Sequence, residues 1–271
     1  MEPITKQEFA RLKTIMDERF GIEIKDGKIT LVESRLSKTL AERGMSRLGQ
    51  YLDAVMRDRT GALEQELAQK LTTNHTYFMR EPEHFRFFQE TVLPWLVGTV
   101  RDGDLRTWSA GCSSGEEPYT LAMCMADFFN LRSESWNTKI LATDISAAVL
   151  ERAVEAIYPV ESLQNIPDRW KKLYFESLDS ERVRVGAKIR EEVIFRHLNL
   201  IEQVFPFKRK FHLILCRNVM IYFDTPMKNR LIKKFYDATE PGGYLFIGHS
   251  ESLGRDTCGY KYIKPSIYRK E

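Results

Sequence analysis

The sequence lacks a long apolar run and is poor in cysteine. No segment approaches the roughly 20 consecutive apolar residues that a membrane-spanning helix needs, and the opening residues, MEPITKQEF, contain no apolar signal core. These absences predict a cytoplasmic protein without membrane insertion. The cysteines form no C-x-x-C pair, which argues against a zinc site and a disulfide framework and predicts reduced, packed thiols. They are Cys112, Cys124, Cys216 and Cys258.

Motifs for several other chemistries are also missing. Neither the dinucleotide fingerprint G-x-G-x-x-G nor the phosphate loop G-x-x-x-x-G-K-[ST] occurs. The five histidines include no H-E-x-x-H pair and no nearby serine nucleophile motif, so we expect neither a metal site nor triad chemistry. A formal net charge of +3 is too small to indicate nucleic acid as a partner.

The first 71 residues carry the periodicity of amphipathic helices. Apolar side chains recur at three- and four-residue spacing, and glycines separate the periodic runs. In the first run these side chains are Phe9, Leu12, Ile15 and Met16. The pattern predicts an N-terminal all-α domain of about four helices over residues 1–71, followed by a linker over residues 72–92.

The remainder of the chain, residues 93–271, has a different pattern. Short apolar runs alternate with helical stretches, which is typical of an α/β domain with a mostly parallel sheet. We predict strands at 105–111, 139–145, 193–200, 211–219 and 243–250, a terminal strand pair, and helices at 116–129, from the N-cap Ser146, and from the capping pair Thr225 and Pro226. A charged stretch over about 170–190 predicts a small inserted antiparallel β subdomain.

The segment WSAGCSSGEEPY provides the strongest local signal for a ligand. It places Gly111 and Gly115 between a buried strand and a helix N-terminus, where a ligand can approach the backbone closely. Two glutamates stand where a phosphate would need neutral or positive neighbours, so a ligand with an ammonium or sulfonium charge fits better than a pyrophosphate. A turn of small residues needed only for packing is the alternative interpretation.

Polar side chains follow further strands of the predicted sheet. Asp144 ends the second strand, where a carboxylate can accept hydrogen bonds from both hydroxyls of a ribose, although an aspartate before a helix is also a common cap. Asn199 and Asn218 also end strands and offer a donor and an acceptor to an adenine ring or an amino acid head group, although asparagine also forms turns. Ligands of open α/β sheets bind at the carboxyl ends of the strands, so these residues predict an adenosyl pocket there.

Six segments together carry a specific family resemblance. The chain resembles the CheR chemotaxis receptor methyltransferases over about residues 72–252, in the segments TNHTYFMRE, WSAGCSSGEEPY, ATDIS, LNL, CRNVMIYFD and GHSES. The resemblance implies a Rossmann-like methyltransferase domain behind the helical domain, with the cofactor S-adenosylmethionine bound between the two, S-adenosylhomocysteine as product and no metal. It implies methylation of receptor glutamates for adaptation in chemotaxis.

The resemblance also implies the site residues by motif position. The implied cofactor contacts are Asn74, Thr76, Arg80, Glu117, Asp144, Asn199, Leu200, Asn218 and Val219. Glu117 would meet the methionine ammonium, and Asp144 would meet the ribose. Arg80 would hold a carboxylate of the cofactor or of the substrate, and Tyr222 would lie near the methyl group, so these two are the candidate catalytic residues. A surface arginine and a tyrosine that only packs are the alternatives.

A receptor partner is implied as well. The helical domain would dock on the cytoplasmic helical region of methyl-accepting chemotaxis receptors through Arg35 and Lys38, which are close enough to share a helix face. A solvated helix face is the alternative. Thr39 and Ala41 occupy positions where the family has more basic residues, and the insert over about 170–190 is short for holding a receptor tether. We therefore expect direct docking without a tether. We also expect the protein to be a monomer.

Two rival functions are compatible with the sequence. One is a Rossmann methyltransferase that acts on a small molecule or on nucleic acid, and the other is a non-catalytic receptor-binding module that uses the pocket as a cofactor sensor.

After the fourth strand the chain reads NVMIY and lacks the N/D-P-P-Y/F loop that is typical of amine methyltransferases. A carboxylate acceptor is already ionised at neutral pH and needs no general base, so the lack of a convincing base favours glutamate as the acceptor.

Overall fold

The structure, a computed structural model, describes residues 2–130, 136–254 and 259–271, and Cys258 lies outside this part of the chain. The helices are α1 (Lys6–Phe20), α2 (Ile29–Glu42), α3 (Leu48–Arg57), α4 (Ala62–Leu71), α5 (Pro82–Phe87), α6 (Leu93–Thr99), α7 (Glu116–Phe129), α8 (Ala147–Glu155), α9 (Asp168–Tyr174), α10 (Ala187–Arg190) and α11 (Thr225–Ala238). The strands are β1 (Thr107–Ala110), β2 (Ile140–Asp144), β3 (Ile157–Pro159), β4 (Phe175–Ser177), β5 (Arg182–Val185), β6 (Val193–His197), β7 (Phe211–Cys216), β8 (Thr239–Ile247), β9 (Tyr260–Lys264) and β10 (Ile267–Lys270).

Helices α1 to α4 form the N-terminal bundle, as the apolar periodicity predicts. Helix α1 begins with a reciprocal capping box, in which the Thr5 hydroxyl accepts from the Glu8 backbone N–H and the Glu8 carboxylate accepts from the Thr5 N–H. It ends at Gly21, whose φ of 67° lies in the left-handed region that favours glycine. Among the described residues, no helix combines the length and the apolar character needed to cross a bilayer.

The main sheet has seven strands in the order β6-β2-β1-β7-β8-β10-β9. Strands β6, β2, β1, β7 and β8 pair in parallel, and β10 pairs antiparallel with β8 and β9. The predicted mostly parallel α/β sheet is confirmed. Its parallel strands all end at one edge, so the loops that follow β1, β2, β6 and β7 lie side by side.

Two apolar cores lie on opposite faces of this sheet. Successive side chains of β7 point to opposite faces, so Ile214 packs in the first core and Leu213 and Leu215 pack in the second. The first core runs without interruption from the N-terminal bundle to Trp108 of β1 and to helix α11. The second contains helix α7, the segment from residue 78 to 96 and the small inserted sheet. The described cysteines, at 112, 124 and 216, are buried free thiols.

The inserted subdomain is an antiparallel sheet of three strands in the order β3-β5-β4. The predicted range of about 170–190 was too short, because β3 begins at Ile157. Three residues that end in proline carry no alternating pattern, so sequence periodicity gives no strand signal there. The segment is a strand because its three residues pair with Arg182–Val185 (β5), with Tyr158 opposite Val183.

Two further details differ from the expectations. The strands predicted to reach residues 200, 219 and 250 end at His197, Cys216 and Ile247, because the residues that follow them belong to loops. Helix α11 is capped by Asp224, whose carboxylate accepts from the Met227 N–H at 2.7 Å, and Thr225 is its first helical residue. Ser146 is the N-cap residue of α8, as expected, but its hydroxyl makes no capping hydrogen bond.

Candidate functional site

A pocket lies at the carboxyl edge of the parallel strands, between the sheet and the N-terminal bundle. Its floor comes from the loops after β1, β2, β6 and β7, and its other wall comes from Phe20, Ile22 and residues 72–77. The space, including its open mouth, is about 960 Å³, within the range of sites that hold small organic ligands.

All of the residues assigned to cofactor binding or catalysis line this one pocket. They are Asn74, Thr76, Arg80, Glu117, Asp144, Asn199, Leu200, Asn218, Val219 and Tyr222. They come from segments that are far apart in the chain, so the fold brings them together. The docking candidates Arg35 and Lys38 are not among the lining residues.

The glycine-rich turn after β1 is held in close contact with the loop after β7. Gly111 has a φ of 82°, and a Cβ added there would lie 2.4 Å from Cγ2 of Val219. Ser113 lies in the same turn and makes two hydrogen bonds. Its N–H donates to Asp144 at 2.9 Å, and its hydroxyl donates to the Asn74 carbonyl at 2.8 Å. The turn therefore joins the strand loops to the linker that covers the pocket.

Asp144 is a buried carboxylate with two backbone donors. Its oxygens accept from the Ser113 and Ser146 N–H groups, each at 2.9 Å. Burial raises the pKa of Asp144, although these two hydrogen bonds oppose the rise. A carboxylate offers about four lone-pair sites, so the group can stabilise the start of α8 and still accept hydroxyl donors from the pocket. The cap and the ligand contact are compatible roles.

Glu117 is the second carboxylate at the pocket wall. One of its oxygens accepts from the Ser109 hydroxyl at 2.7 Å, and the other accepts from Arg217 at 3.1 Å. Its side chain is 13% exposed. Burial raises the pKa of Glu117, and the Arg217 guanidinium opposes that rise. The group is thus oriented by fixed donors and retains acceptor capacity toward a cationic ligand.

Arg217 is a buried charged residue of the pocket lining that the sequence patterns did not single out. Its side chain is 2% exposed and forms ion pairs with Glu81 and Glu117, each at 3.1 Å. It also donates to the Arg80 carbonyl and lies 5.3 Å from the ring centroid of Phe85. The available signal was an arginine directly after the apolar strand FHLILC, where a charge needs a partner. One cation therefore organises the linker and the glutamate of the pocket.

Behind Arg217 lies a cluster of Glu81, His84 and His249, whose possible ligand atoms are all within 4.8 Å of one another. Within residues 2–130, 136–254 and 259–271, neither ring nitrogen of the buried His84 has a hydrogen-bond partner, and Nδ1 lies 3.4 Å from Glu81. Burial and the nearby Arg217 lower the pKa of His84 to about 3, so the ring is neutral. A metal ion here would stand beside the guanidinium that Glu81 already neutralises. The backbone N–H of His249 donates to Glu81 at 3.1 Å, so the GHSES segment is held against the linker.

The linker places Arg80 at the pocket wall. Its guanidinium donates to the His75 carbonyl at 2.7 Å and lies 5.9 Å from the ring centroid of Tyr77. These contacts curl residues 75–80 into a short loop that presents the cation to the pocket. Arg80 is therefore not an isolated surface arginine.

The two asparagines tie the pocket loops to other parts of the molecule. The Asn199 amide donates to the Arg19 carbonyl of α1 at 2.9 Å, which joins the sheet to the bundle. Asn218 adopts a φ of 59°, and its N–H donates to Glu251 at 2.9 Å. Glu251 also accepts from the Gly248 N–H at 2.6 Å, so the GHSES segment holds the loop after β7 in place.

The candidate catalytic residue Tyr222 and the docking candidates Arg35 and Lys38 each contact a different part of the molecule. The Tyr222 carbonyl accepts from the Glu23 N–H at 2.9 Å, which is a second link to the bundle. Arg35 donates to the carbonyls of Leu71 and Thr72, at 2.8 and 3.0 Å, so its guanidinium anchors the linker. Lys38 is 83% exposed and lies 3.8 Å from Glu42. Of the two docking candidates, Lys38 is the one whose side chain is exposed on the bundle surface, beside Glu42.

Comparison with known protein families gives two adjacent matches. Residues 7–72 match the all-alpha domain of the CheR methyltransferases, and residues 74–268 match their SAM binding domain. Together the two matches span nearly the whole chain.

Individual relatives are similar over almost their full lengths. A chemotaxis protein methyltransferase of Borreliella burgdorferi is 42% identical over 98% of this chain and 95% of its own length. A probable chemotaxis protein methyltransferase of Rhizobium etli is 36% identical over 92% of this chain and 97% of its own length. The chemotaxis protein methyltransferase of Escherichia coli is 35% identical over 90% of this chain and 84% of its own length.

Proposed function

Since this chain belongs to the CheR methyltransferase family, we propose that it transfers the methyl group of S-adenosylmethionine to glutamate side chains of chemotaxis receptors. Family membership makes it a methyltransferase of chemotaxis that uses S-adenosylmethionine. The glutamate acceptor and the roles of individual residues are our proposal. One observation carries it: residues from six separate segments meet in one pocket that contains the acidic side chains of Glu117 and Asp144.

The two carboxylates suit the two polar ends of the cofactor. We assign the ribose hydroxyls to Asp144, because its remaining lone pairs can accept them while its backbone donors keep it in place. We assign the methionine ammonium to Glu117, because a cation offsets the desolvation of that carboxylate. Gly111 lets the turn lie directly against Val219 at the pocket wall, because a Cβ there would lie 2.4 Å from Cγ2 of that side chain.

The acceptor carboxylate is the nucleophile of the proposed reaction. One of its oxygens forms a bond to the methyl carbon while the carbon–sulfur bond breaks, and the electron pair of that bond goes to sulfur. The products are a neutral methyl ester and the neutral thioether S-adenosylhomocysteine, so charge is conserved and no proton moves. We propose that Arg80 orients one of the two reacting carboxylate-bearing partners and that Tyr222 orients the acceptor near the methyl group.

Alkali treatment of the labelled product tests the glutamate assignment. Receptor labelled with a tritiated methyl group should release volatile methanol in mild alkali, because an ester hydrolyses whereas methylated amines and nucleobases do not. The measurement is the volatile fraction of the label. Alkali-stable label on the receptor would falsify the glutamate assignment and favour a methyltransferase for another acceptor. Tight cofactor binding without label on any receptor would favour the sensor.

A variant of the candidate catalytic residue Arg80 serves as a control in the same assay. Arg80→Ala should lower the labelling rate at saturating cofactor by at least about tenfold, because poor orientation of a reacting partner slows transfer more than it weakens binding. The released fraction of the remaining label should not change.

We propose that Lys38 contributes to docking on the acidic receptor helices and that Arg35 shapes the same face by holding the linker. Lys38→Glu should raise the apparent KM for receptor about threefold at low salt, and the difference should disappear at high salt because exposed charges are screened. The matched control is Lys6→Glu, an equal charge reversal on the exposed start of α1. Equal KM values for the two variants would place the docking face elsewhere.

A further inference from the structure

The inserted three-stranded sheet reaches the glycine-rich turn of the pocket through one side chain. Tyr158 lies on β3, where it pairs with Val183 of β5, and it is 3% exposed. Its hydroxyl donates to the Ser114 carbonyl at 2.6 Å. Ser114 is the residue between Ser113, which contacts Asp144, and the left-handed Gly115. A residue of the insert therefore binds the backbone of the turn that forms the pocket floor.

The same tyrosine also contacts the linker on the other side of the pocket. The ring of Phe78 packs edge-on against Tyr158 at 4.9 Å and against Phe175 of β4 at 5.5 Å. The linker and the turn are joined directly as well, because the Ser113 hydroxyl donates to the Asn74 carbonyl at 2.8 Å. Insert, linker and turn thus contact one another in pairs.

Gly115, at the end of the turn, lies in close contact with Tyr158. A Cβ added to Gly115 would lie 3.1 Å from the Tyr158 hydroxyl and 3.0 Å from Cβ of Ala153. Together with a φ of 96°, this proximity leaves no room for a side chain at this position. Burial raises the pKa of Tyr158, so its hydroxyl stays protonated and remains a donor.

We propose that Tyr158 is a positioning residue for the cofactor. From its place in the inserted sheet, this side chain fixes the Ser113–Gly115 turn in the conformation that binds the cofactor. The inference rests on the proposed assignment of the pocket to S-adenosylmethionine. A turn that is already ordered binds its ligand without a further loss of conformational freedom. Without the hydroxyl, the Ser114 carbonyl is left buried and unsatisfied, and the turn relaxes away from the position that the ligand needs.

A pair of buried tyrosines provides a matched test. Tyr158→Phe removes the hydrogen bond to the turn, and Tyr119→Phe removes a hydrogen bond of the same kind, from the Tyr119 hydroxyl to the Ala153 carbonyl of α8 at 2.7 Å. Both side chains are buried and their rings lie 6.5 Å apart, so the two variants lose equivalent groups in the same core. Their melting temperatures should therefore fall by similar amounts.

Cofactor affinity separates the two variants. The Kd for S-adenosylhomocysteine, measured by calorimetry, should rise about five- to tenfold in Tyr158→Phe and by less than about twofold in Tyr119→Phe. In Tyr158→Phe the KM for S-adenosylmethionine should rise equally while kcat stays near the wild-type value. Equal changes of Kd in the two variants would overturn the positioning role. A wild-type protein that does not bind S-adenosylhomocysteine would instead overturn the pocket assignment and with it this inference.

Discussion

Replacement of Arg217 by methionine is expected to lower the free energy of unfolding by about 3 to 5 kcal/mol and to reduce cofactor affinity below detection. The side chain is 2% exposed and forms ion pairs with both Glu81 and Glu117. Removing the cation leaves two carboxylates buried without their partner, which is the costliest way to break a buried ion pair. Glu117 would then take up a proton or turn toward water, and in either state it no longer presents an oriented charge to the pocket.

The matched control is Arg106→Met. Arg106 is also mostly buried, at 15% exposure, and forms ion pairs with Asp104 and Glu240, each at 3.0 Å. It precedes β1 and therefore lies at the opposite edge of the sheet from the pocket. Chemical denaturation and calorimetry should show a stability loss in both variants and a loss of S-adenosylhomocysteine binding in Arg217→Met alone. Wild-type affinity in folded Arg217→Met would remove Arg217 from the organisation of the pocket.

Asp144→Asn is expected to weaken S-adenosylhomocysteine binding about a hundredfold, because hydrogen bonds to a charged acceptor contribute about 1.5 to 3 kcal/mol each. The carboxylate accepts from two backbone N–H groups, at Ser113 and at Ser146. An asparagine has only one acceptor oxygen, so its amide N–H would face one of these donors. The turn would shift, and the acceptor that we assign to the ribose would be lost.

Asp224→Asn distinguishes a ligand contact from a cap. Asp224 accepts the Met227 N–H in its capping role at the start of α11, and asparagine caps helices about as well as aspartate. This variant should retain both its stability and its affinity for S-adenosylhomocysteine, measured by denaturation and calorimetry. If Asp144→Asn behaves in the same way, Asp144 serves only as a structural residue and the ribose contact lies elsewhere.

Four of the pocket residues could be predicted from topology, because each of them lies at or just after the end of a parallel strand. Parallel strands bring their carboxyl ends to one edge, so Gly111, Asp144, Asn199 and Asn218 are placed together by topology before any side-chain contact is known. The family motifs added the linker residues. Neither argument requires knowledge of which atoms touch.

The residues that the sequence did not reveal depend on partners far along the chain. Arg217 bonds to Glu81, which is 136 positions away, and no local pattern pairs an arginine with a glutamate at that distance. Helix spacing placed Arg35 on an exposed face, but its guanidinium reaches the carbonyls that end α4 and begin the linker. Tyr158 was overlooked because its strand exists only through pairing with β5. Local periodicity cannot report contacts of this kind.

Because the bundle and the sheet share one apolar core, a substitution in one domain restricts the substitutions that the other domain tolerates. Residues of α1 and of β1 pack in the same core, and the two domains are further joined by the contacts of Asn199 with Arg19 and of Glu23 with Tyr222. A substitution that alters the shape of the bundle on this side therefore has to be matched by one in the sheet or in α11. We expect the two domains to be inherited together and to diverge as a unit, and a bundle exchanged from a distant relative should fit poorly unless its sheet partners are exchanged with it.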